Sequence, residues 1–409
     1  MIANAGIGPG FDTIRIALAI SIVCWHSIEV SYGAEVAKSH MGHPFGAVTL
    51  ALLPMFFALS GFLVAGSALR VGDLKHFIAL RGLRIVPALS VEIVLSALML
   101  GCALTTLPVR EYLMQWEFFE YFGSVVGRIR TTLPGVFDGN PTPRTVNSAL
   151  WTIAPELLCY VYVAILMLLG IFHSKRLATI IALALTAASF AVNWPIGVAR
   201  DGDILPPDTL VLAFVYGNLI YLWRHRIPYS TVAFSVCALI GLFGIRAIGT
   251  VHASIFCLTY CIIYLGFVTL PNLHAFRTGD YSYGVYLYGY PIQQTVSYAL
   301  PDLREWYWNL AIALPLTILM AAASWHMIEK RALALRHRLQ QDAETKTPGS
   351  FATYLVLLML SAYAFFLGVQ SRIIWSDDVR GLAVIVFVSA AVAAAAIVLL
   401  LPRIRKTCI

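Results

Sequence analysis

Apolar runs of about twenty residues follow one another along nearly the whole chain, each matching the hydrocarbon thickness of a bilayer. Backbone at that depth has no water to bond, so each run must close its own hydrogen bonds as a helix. Composition agrees. Of 409 residues, 59% are hydrophobic and 12% charged, against about 25% charged in an average soluble chain, and the mean hydropathy is +0.79. A soluble enzyme, a disordered chain and a nucleic-acid reader are excluded, so no nucleic-acid partner is expected. Cys24, Cys102, Cys159, Cys237, Cys257 and Cys261 lie in or beside apolar runs, and no CxxC or Cys/His spacing occurs. Neither a disulfide framework nor a zinc site is indicated, and no metal is expected.

Hydropathy predicts spans near 11–31, 45–67, 86–107, 150–170, 177–196, 208–223, 229–246, 251–270, 281–300, 307–328, 351–371 and 379–401. The first outruns a signal-peptide core and has no basic segment before it. The expected fold is therefore all-α: a polytopic transmembrane bundle with a ten-helix body over residues 1–338, a polar linker at 339–350 and a two-helix appendix at 351–409. With the N-terminus inside, the inner loops carry seventeen Lys/Arg and the outer loops ten, so both termini are expected in the cytoplasm of a bacterial inner membrane. The long outer segment 108–149 breaks the pattern of short loops, and its Trp116, Phe118, Phe119, Tyr121 and Phe122 suit either sugar stacking or the bilayer surface.

Ionisable groups inside a span cost a few kcal/mol, so each one demands a reason. Arg15, His26 and Glu29 share the first span. An eleven-residue step returns to within about 20° of the same helix face and rises about 16 Å, so Arg15 sits near the inner mouth and His26 past the midplane. His26 and Glu29, at i and i+3, are neighbours on that face. A carboxylate beside an imidazole holds one tautomer and raises its basicity toward a hydroxyl. Channels and proton-coupled carriers string such residues along a face too, so enzyme and carrier both remain open at this point.

Arg81 and Arg84, at i and i+3 on a short inner helix closed by Pro87, present two guanidinium forks suited to phosphate, with Lys75 and His76 nearby. Ordinary inner-loop topology and anionic lipid head groups are the competing explanations. Ser60-Gly61 permits close helix approach. Glu156 follows Pro155 inside a span and should face a cavity, with Trp151 just before it. The stretch Asp280-Tyr281-Ser282-Tyr283-Gly284-Val285-Tyr286 fits an interfacial belt as well as a site lining. Glu92 is an intramembrane acid with no partner visible in the sequence.

Arg15 with His26, Phe56-Phe57-x-Leu59-Ser60-Gly61-Phe62-Leu63, Arg81-x-x-Arg84-Ile85-x-Pro87, Trp151-Thr152 with Glu156, Asp280-Tyr-Ser-Tyr-Gly-x-Tyr-Leu and Ile328-Glu329-Lys330 occur in this order from about residue 9 to 338. Together they resemble the membrane acyltransferase 3 family, ten-helix proteins that O-acylate sugars of envelope glycans. The resemblance implies acyl-CoA, most often acetyl-CoA, as donor, with Arg81 and Arg84 on its phosphates, and the charge of Lys75 nearby is expected to join them. It implies His26 and Arg15 in the acyl-transfer path and a site role for Trp151 and Glu156; beside it, Glu29 or Glu156 is expected to orient the imidazole, and Trp151, Ser60, Tyr283 and Tyr286 to line the substrate path. Two departures stand out: Gly289-Tyr290 occupies the place where relatives often have a His, and two further helices follow the body where many relatives carry a soluble domain.

The implied partners are a glycan or lipid-linked sugar acceptor, membrane lipids and glycan-assembly proteins. An extended pantetheine arm, on the order of 15 to 20 Å, matches the axial gap between Arg15 and His26 obtained from helix rise. Covalent acylation of His26 and direct attack by the acceptor are both compatible with these residues. The rival function is a glycolipid transporter or flippase without acyl-transfer chemistry.

Overall fold

The computed structural model describes residues 8–41, 46–193, 205–246, 250–269 and 280–335. The predicted linker at 339–350 and the spans at 351–371 and 379–401 lie outside the described residues, as do both chain termini. Ten long helices fill the described residues: α1 (Phe11–Tyr32), α2 (Gly46–Val71), α3 (Leu74–Leu104), α4 (Ser148–Leu168), α5 (Lys175–Asn193), α6 (Pro207–Trp223), α7 (Thr231–Gly244), α8 (Val251–Gly266), α9 (Ser282–Ala299) and α10 (Trp306–Ala334). Five of them, α1, α2, α3, α4 and α10, are long and apolar enough to cross a membrane by themselves. The chain is an all-α polytopic membrane protein.

Helix ends follow local chemistry. Gly33 closes α1 at φ +91°, a conformation that favours glycine. Asp73 caps α3 by accepting from the His76 amide at 2.9 Å. The helix then runs through Pro87 to Leu104, with a π turn over Leu95–Leu100. Here the structure differs from expectation: Arg81 and Arg84 lie in the first half of this 31-residue rod rather than on a separate short helix. A proline inside a helix removes one backbone bond, and hydropathy falls at the basic residues, so the apolar signal starts a dozen residues after the helix does.

Burial runs opposite to hydropathy in two helices. α7 is strongly apolar, yet Val232, Leu239 and Phe243 are exposed on it. α9 is rich in Tyr, Ser and Gln, yet every residue from Ser282 to Pro291 is buried. Lipid solvates apolar side chains, whereas polar groups need partners inside the protein. α9 has them: Gln293 Nε2 donates to Val23 O (2.8 Å) and Ser27 Oγ (2.6 Å), Gln294 Nε2 to Thr142 O (2.9 Å) and Thr145 O (2.7 Å), and Tyr283 Oη to Ile85 O (3.2 Å).

α2 and α6 meet at glycines. A Cβ on Gly61 would strike the carbonyl oxygen of Phe214, and one on Gly217 that of Ala58. Small residues at such a crossing let two backbones approach without side chains between them. The segment after α3 folds over one end of the bundle: Tyr112 Oη donates to Ala97 O at 2.7 Å, Glu120 pairs with Arg128 at 2.6 Å and with Arg130, and Asn140 Nδ2 donates to Gln294 Oε1 at 2.7 Å. Phe118 and Tyr121 are buried in this cap, while Trp116 and Phe119 are exposed.

Candidate active site

Two cavities are stacked inside the bundle. The larger, about 280 Å³, lies at the arginine end and is lined by Arg15, Arg81, Arg84, Glu156 and Asp280 among aromatic and aliphatic side chains. The smaller, about 150 Å³, lies at the other end and contains His26, Glu29, Lys38, Trp25 and Trp151 in a largely apolar wall. Four structural units line both. α1 supplies His26 to one and Arg15 to the other; α2 supplies Leu50 and Ser60; α4 supplies Trp151 and Glu156; α6 supplies Leu210 and Phe214. Leu53 lines both cavities.

In the arginine cavity, Asp280 Oδ2 accepts from Arg15 Nη1 and from Arg84 Nη2, each at 2.6 Å, and Ser282 Oγ donates to Oδ1 at 2.7 Å. Burial alone would push the Asp280 carboxyl up; the two guanidinium groups outweigh it and hold it well below the usual carboxylate range. Asp280 is thus a fixed negative charge joining α1 to α3. Arg84 also faces the buried Glu329, 3.8 Å away, which the π turn over Trp325–Glu329 carries inward. Ser324 Oγ donates to the other oxygen of Glu329 at 3.2 Å.

Arg81 is different. No carboxylate among the described residues lies within ion-pair distance of it. Its guanidinium sits 5.9 Å from the centroids of both the Phe77 and Tyr160 rings, Nη2 reaches Ser67 Oγ at 3.3 Å, and its buried Nε has no partner. Trp325, in the same wall, also keeps a buried indole N–H without a partner. Buried donors left unpaired mark a place where an acceptor-rich group would be satisfied. Glu156 accepts from Tyr160 Oη at 2.6 Å and belongs to this cavity, not to the one holding His26. Ser60, Tyr283 and Tyr286 line it as well. Lys75 is exposed in the first turn of α3 and lines neither cavity.

In the histidine cavity, Glu29 and His26 share a wall, but the Glu29 carboxylate accepts from Tyr290 Oη at 3.1 Å, and the Tyr290 ring packs edge-on against His26 with centroids 5.0 Å apart. Tyr290 therefore contacts both residues that the sequence paired with each other. None of the hydrogen bonds among the described residues uses the His26 ring, which leaves its nitrogens to whatever enters the cavity.

Trp151 and Thr152 are placed by the first turn of α4. Asn147 Oδ1 accepts from the Ala149 amide at 3.1 Å and caps that turn, while its Nδ2 donates to Leu287 O at 3.0 Å and to Glu92 Oε1 at 2.8 Å. Glu92 also accepts from Ser96 Oγ at 2.8 Å. The acid without a visible partner thus anchors the turn from which Trp151 and Thr152 project to the two cavities. Thr152 Oγ1 and Tyr286 Oη share a 2.7 Å bond. No group of His, Cys, Asp and Glu among the described residues has the arrangement of a metal site.

The bundle thus holds an arginine cavity with unpaired buried donors at one end and a histidine cavity at the other. The acyltransferase 3 family profile, described as an acyltransferase domain, matches residues 9–328. The chain belongs to the acyltransferase 3 family. It is similar to an O-acetyl transferase of Shigella phage Sf6, 25% identical over 342 residues that cover 79% of this chain and 95% of that one. It is also similar to Nodulation protein 10 of Rhizobium leguminosarum bv. viciae, 26% identical over 368 residues that cover 82% of this chain and 96% of the relative. No solved structure matches it. This integral membrane acyltransferase places every site residue named from its sequence except Lys75 on one of the two cavities. Tyr290 and Asn147 are the additions that required the fold, and Asp280, already part of a motif in the sequence, gains its two arginine partners only there.

Proposed function

We propose that this acyltransferase moves an acetyl group from acetyl-coenzyme A, bound at the arginine end, to a hydroxyl of an extracytoplasmic glycan that enters at the histidine end. The observation that carries it is the stacking of the two cavities along the same four structural units, with the buried Arg81 Nε lacking a partner in one and the His26 ring unbonded in the other. Arg81, flanked by two aromatic rings, offers a planar fork to the donor's phosphates. Arg15 and Arg84, held by Asp280, form a rigid cationic floor beside it. The excess of Lys/Arg in the loops at this end supports its facing the cytoplasm, where the donor is made.

At the other end His26 takes the proton of the acceptor hydroxyl as its oxygen attacks the thioester carbonyl. A C–O ester bond forms, the C–S bond breaks, and the proton passes from the imidazole to the leaving thiolate. Trp25 and Trp151 give a sugar ring apolar faces to rest on, and Lys38 and Glu29 give its hydroxyls polar partners. The name of the phage relative supports acetyl as the cargo. A bacterial inner membrane is the corresponding location, with glycan-assembly proteins as neighbours.

The test uses right-side-out vesicles containing the full chain, loaded with labelled acetyl-coenzyme A and supplied outside with the host's envelope polysaccharide. Label on the polysaccharide is the expected result. Polysaccharide or its lipid-linked precursor crossing without label would instead identify a transporter. Trapping of an acylated enzyme without acceptor would replace direct transfer by a covalent route through His26.

A further inference from the structure

One buried donor in the arginine cavity stands apart from the guanidinium groups. Trp325 belongs to the cavity wall, and its indole Nε1–H is buried with no hydrogen-bond partner among the described residues. The residue opens the π turn over Trp325–Glu329, the turn that carries Glu329 inward to Arg84, and π turns recur at functional sites. Its ring rests edge-on against Tyr281, with centroids 6.3 Å apart and planes at 68°. An indole nitrogen can only donate, so what this position lacks is an acceptor oxygen, of a phosphate or of a carbonyl.

Its height in the bundle favours the carbonyl. α3 runs away from the arginine end: Arg84 meets Asp280, and Glu92 farther along meets Asn147, next to Ser148 of the histidine cavity. α10 runs the opposite way, for the Trp306 amide donates to Tyr32 Oη at 3.4 Å, beyond His26 on α1, whereas Glu329 faces Arg84. Arg84 and Glu329, 3.8 Å apart, are therefore level. Arg81 lies three residues from that level toward the arginine end, and Trp325 lies four residues from it toward the histidine end. Helix rise puts them about 10 Å apart along the bundle. Side chains lean toward the N-terminus of their own helix, so these two lean away from each other.

Resting on the donor placement proposed above, we propose that Trp325 Nε1–H binds an amide carbonyl of the pantetheine arm of coenzyme A, beyond the phosphates held at Arg81. In an extended arm the two amide carbonyls lie about 6 and 11 Å from the phosphate that bears it, at about 1.2 Å per bond. With that phosphate at Arg81, the amide stretch comes level with Trp325. A hydrogen bond there directs the remaining thioester end toward the histidine cavity. Arg81 and Trp325 thus read different parts of one molecule, the first by charge and the second by a neutral hydrogen bond.

The vesicle assay tests this on the full chain with two competitors loaded beside labelled acetyl-coenzyme A: pantetheine, which is the arm without phosphates, and adenosine 3′,5′-bisphosphate, which carries phosphates without the arm. Trp325→Phe keeps an aromatic ring against Tyr281 and removes the N–H. It is expected to weaken inhibition by pantetheine about fivefold, the size of one neutral hydrogen bond, and to leave inhibition by the bisphosphate within twofold of wild type. Arg81→Ala is expected to do the reverse. Inhibition constants do not depend on how much of the protein is folded; should Trp325→Phe be inactive, Trp325→Tyr takes its place with the same expectation. Unchanged inhibition by pantetheine would overturn the proposal. So would a loss confined to the bisphosphate, which would put the indole on a phosphate, or an equal loss with both, which would make its role structural. A wild-type enzyme that transfers no label from acetyl-coenzyme A would overturn the proposed transfer itself, a different result.

Discussion

The two cavities solve opposite electrostatic problems. At the arginine end three guanidinium groups are gathered in a low-dielectric interior, and two of them are neutralised in place by one carboxylate, Asp280, with Glu329 behind. At the histidine end the wall is mainly hydrocarbon, and its one carboxylate, Glu29, is bonded to a tyrosine and not to a cation. One cavity gathers charge, as the proposed anionic donor requires; the other leaves an imidazole without a hydrogen bond among the described residues, as the proposed proton transfer requires. The contrast teaches that, on the proposed function, donor binding and chemistry are separable, because different residues at opposite ends of shared helices would carry them.

The largest effect that would break the comparison comes from His26→Ala, which is expected to lower acetyl transfer by about 10²–10⁴-fold, the range for loss of a general base, with donor binding retained. Normal product from membranes carrying that variant would remove the imidazole from the chemistry. Asp280→Asn comes next. It leaves Arg15 without its counter-ion and Arg84 with Glu329 alone, and unpaired buried charges cost about 3–5 kcal/mol; with a quarter of the Asp280 side chain still exposed, a loss near or below the bottom of that range is expected. Thermal unfolding in detergent measures it, and an unchanged Tm would show that the Asp280 bridge is not what holds α1 to α3.

Arg81→Ala sharpens the comparison from the donor side. Charged hydrogen bonds contribute about 1.5–3 kcal/mol, so KM for acetyl-coenzyme A should rise at least tenfold while kcat falls far less. An unaltered donor dependence would mean that Arg81 serves membrane topology alone. The smallest effect is that of Gly217→Ala, which pushes α6 off α2 and so disturbs the frame common to both cavities. Overpacking of this kind costs about 1–3 kcal/mol. Melting curves should show the loss, and a variant as stable as wild type would mean the helices can part without consequence.

Much of the frame was legible before any coordinates. Each of the ten expected body spans corresponds to a helix, with the exception in register coming at α3, where basic residues hid its first turns from hydropathy. His26, Glu29 and Arg15 do line the interior, as an eleven-residue helical step implies. What was not legible is how they divide. His26 and Glu29 are neighbours along α1, so local spacing paired them, yet Tyr290, 261 residues from Glu29, takes the carboxylate. Arg81 and Arg84 read as equivalent forks, but only Arg84 meets Asp280, 196 residues away. Glu156 looked free to serve the imidazole and stands instead among the arginines.

The amino-acid order by itself determined that this chain lives in a membrane as helices, because unbonded backbone cannot survive in hydrocarbon and apolar length is a local property. It also determined which polar residues had to face inward, since each would be too costly against lipid. Only the tertiary structure decided which of those residues meet and that they gather in two chambers. Partnership between buried polar groups depends on contacts across helices far apart in the chain, and helical periodicity carries no information about the neighbour on the other side.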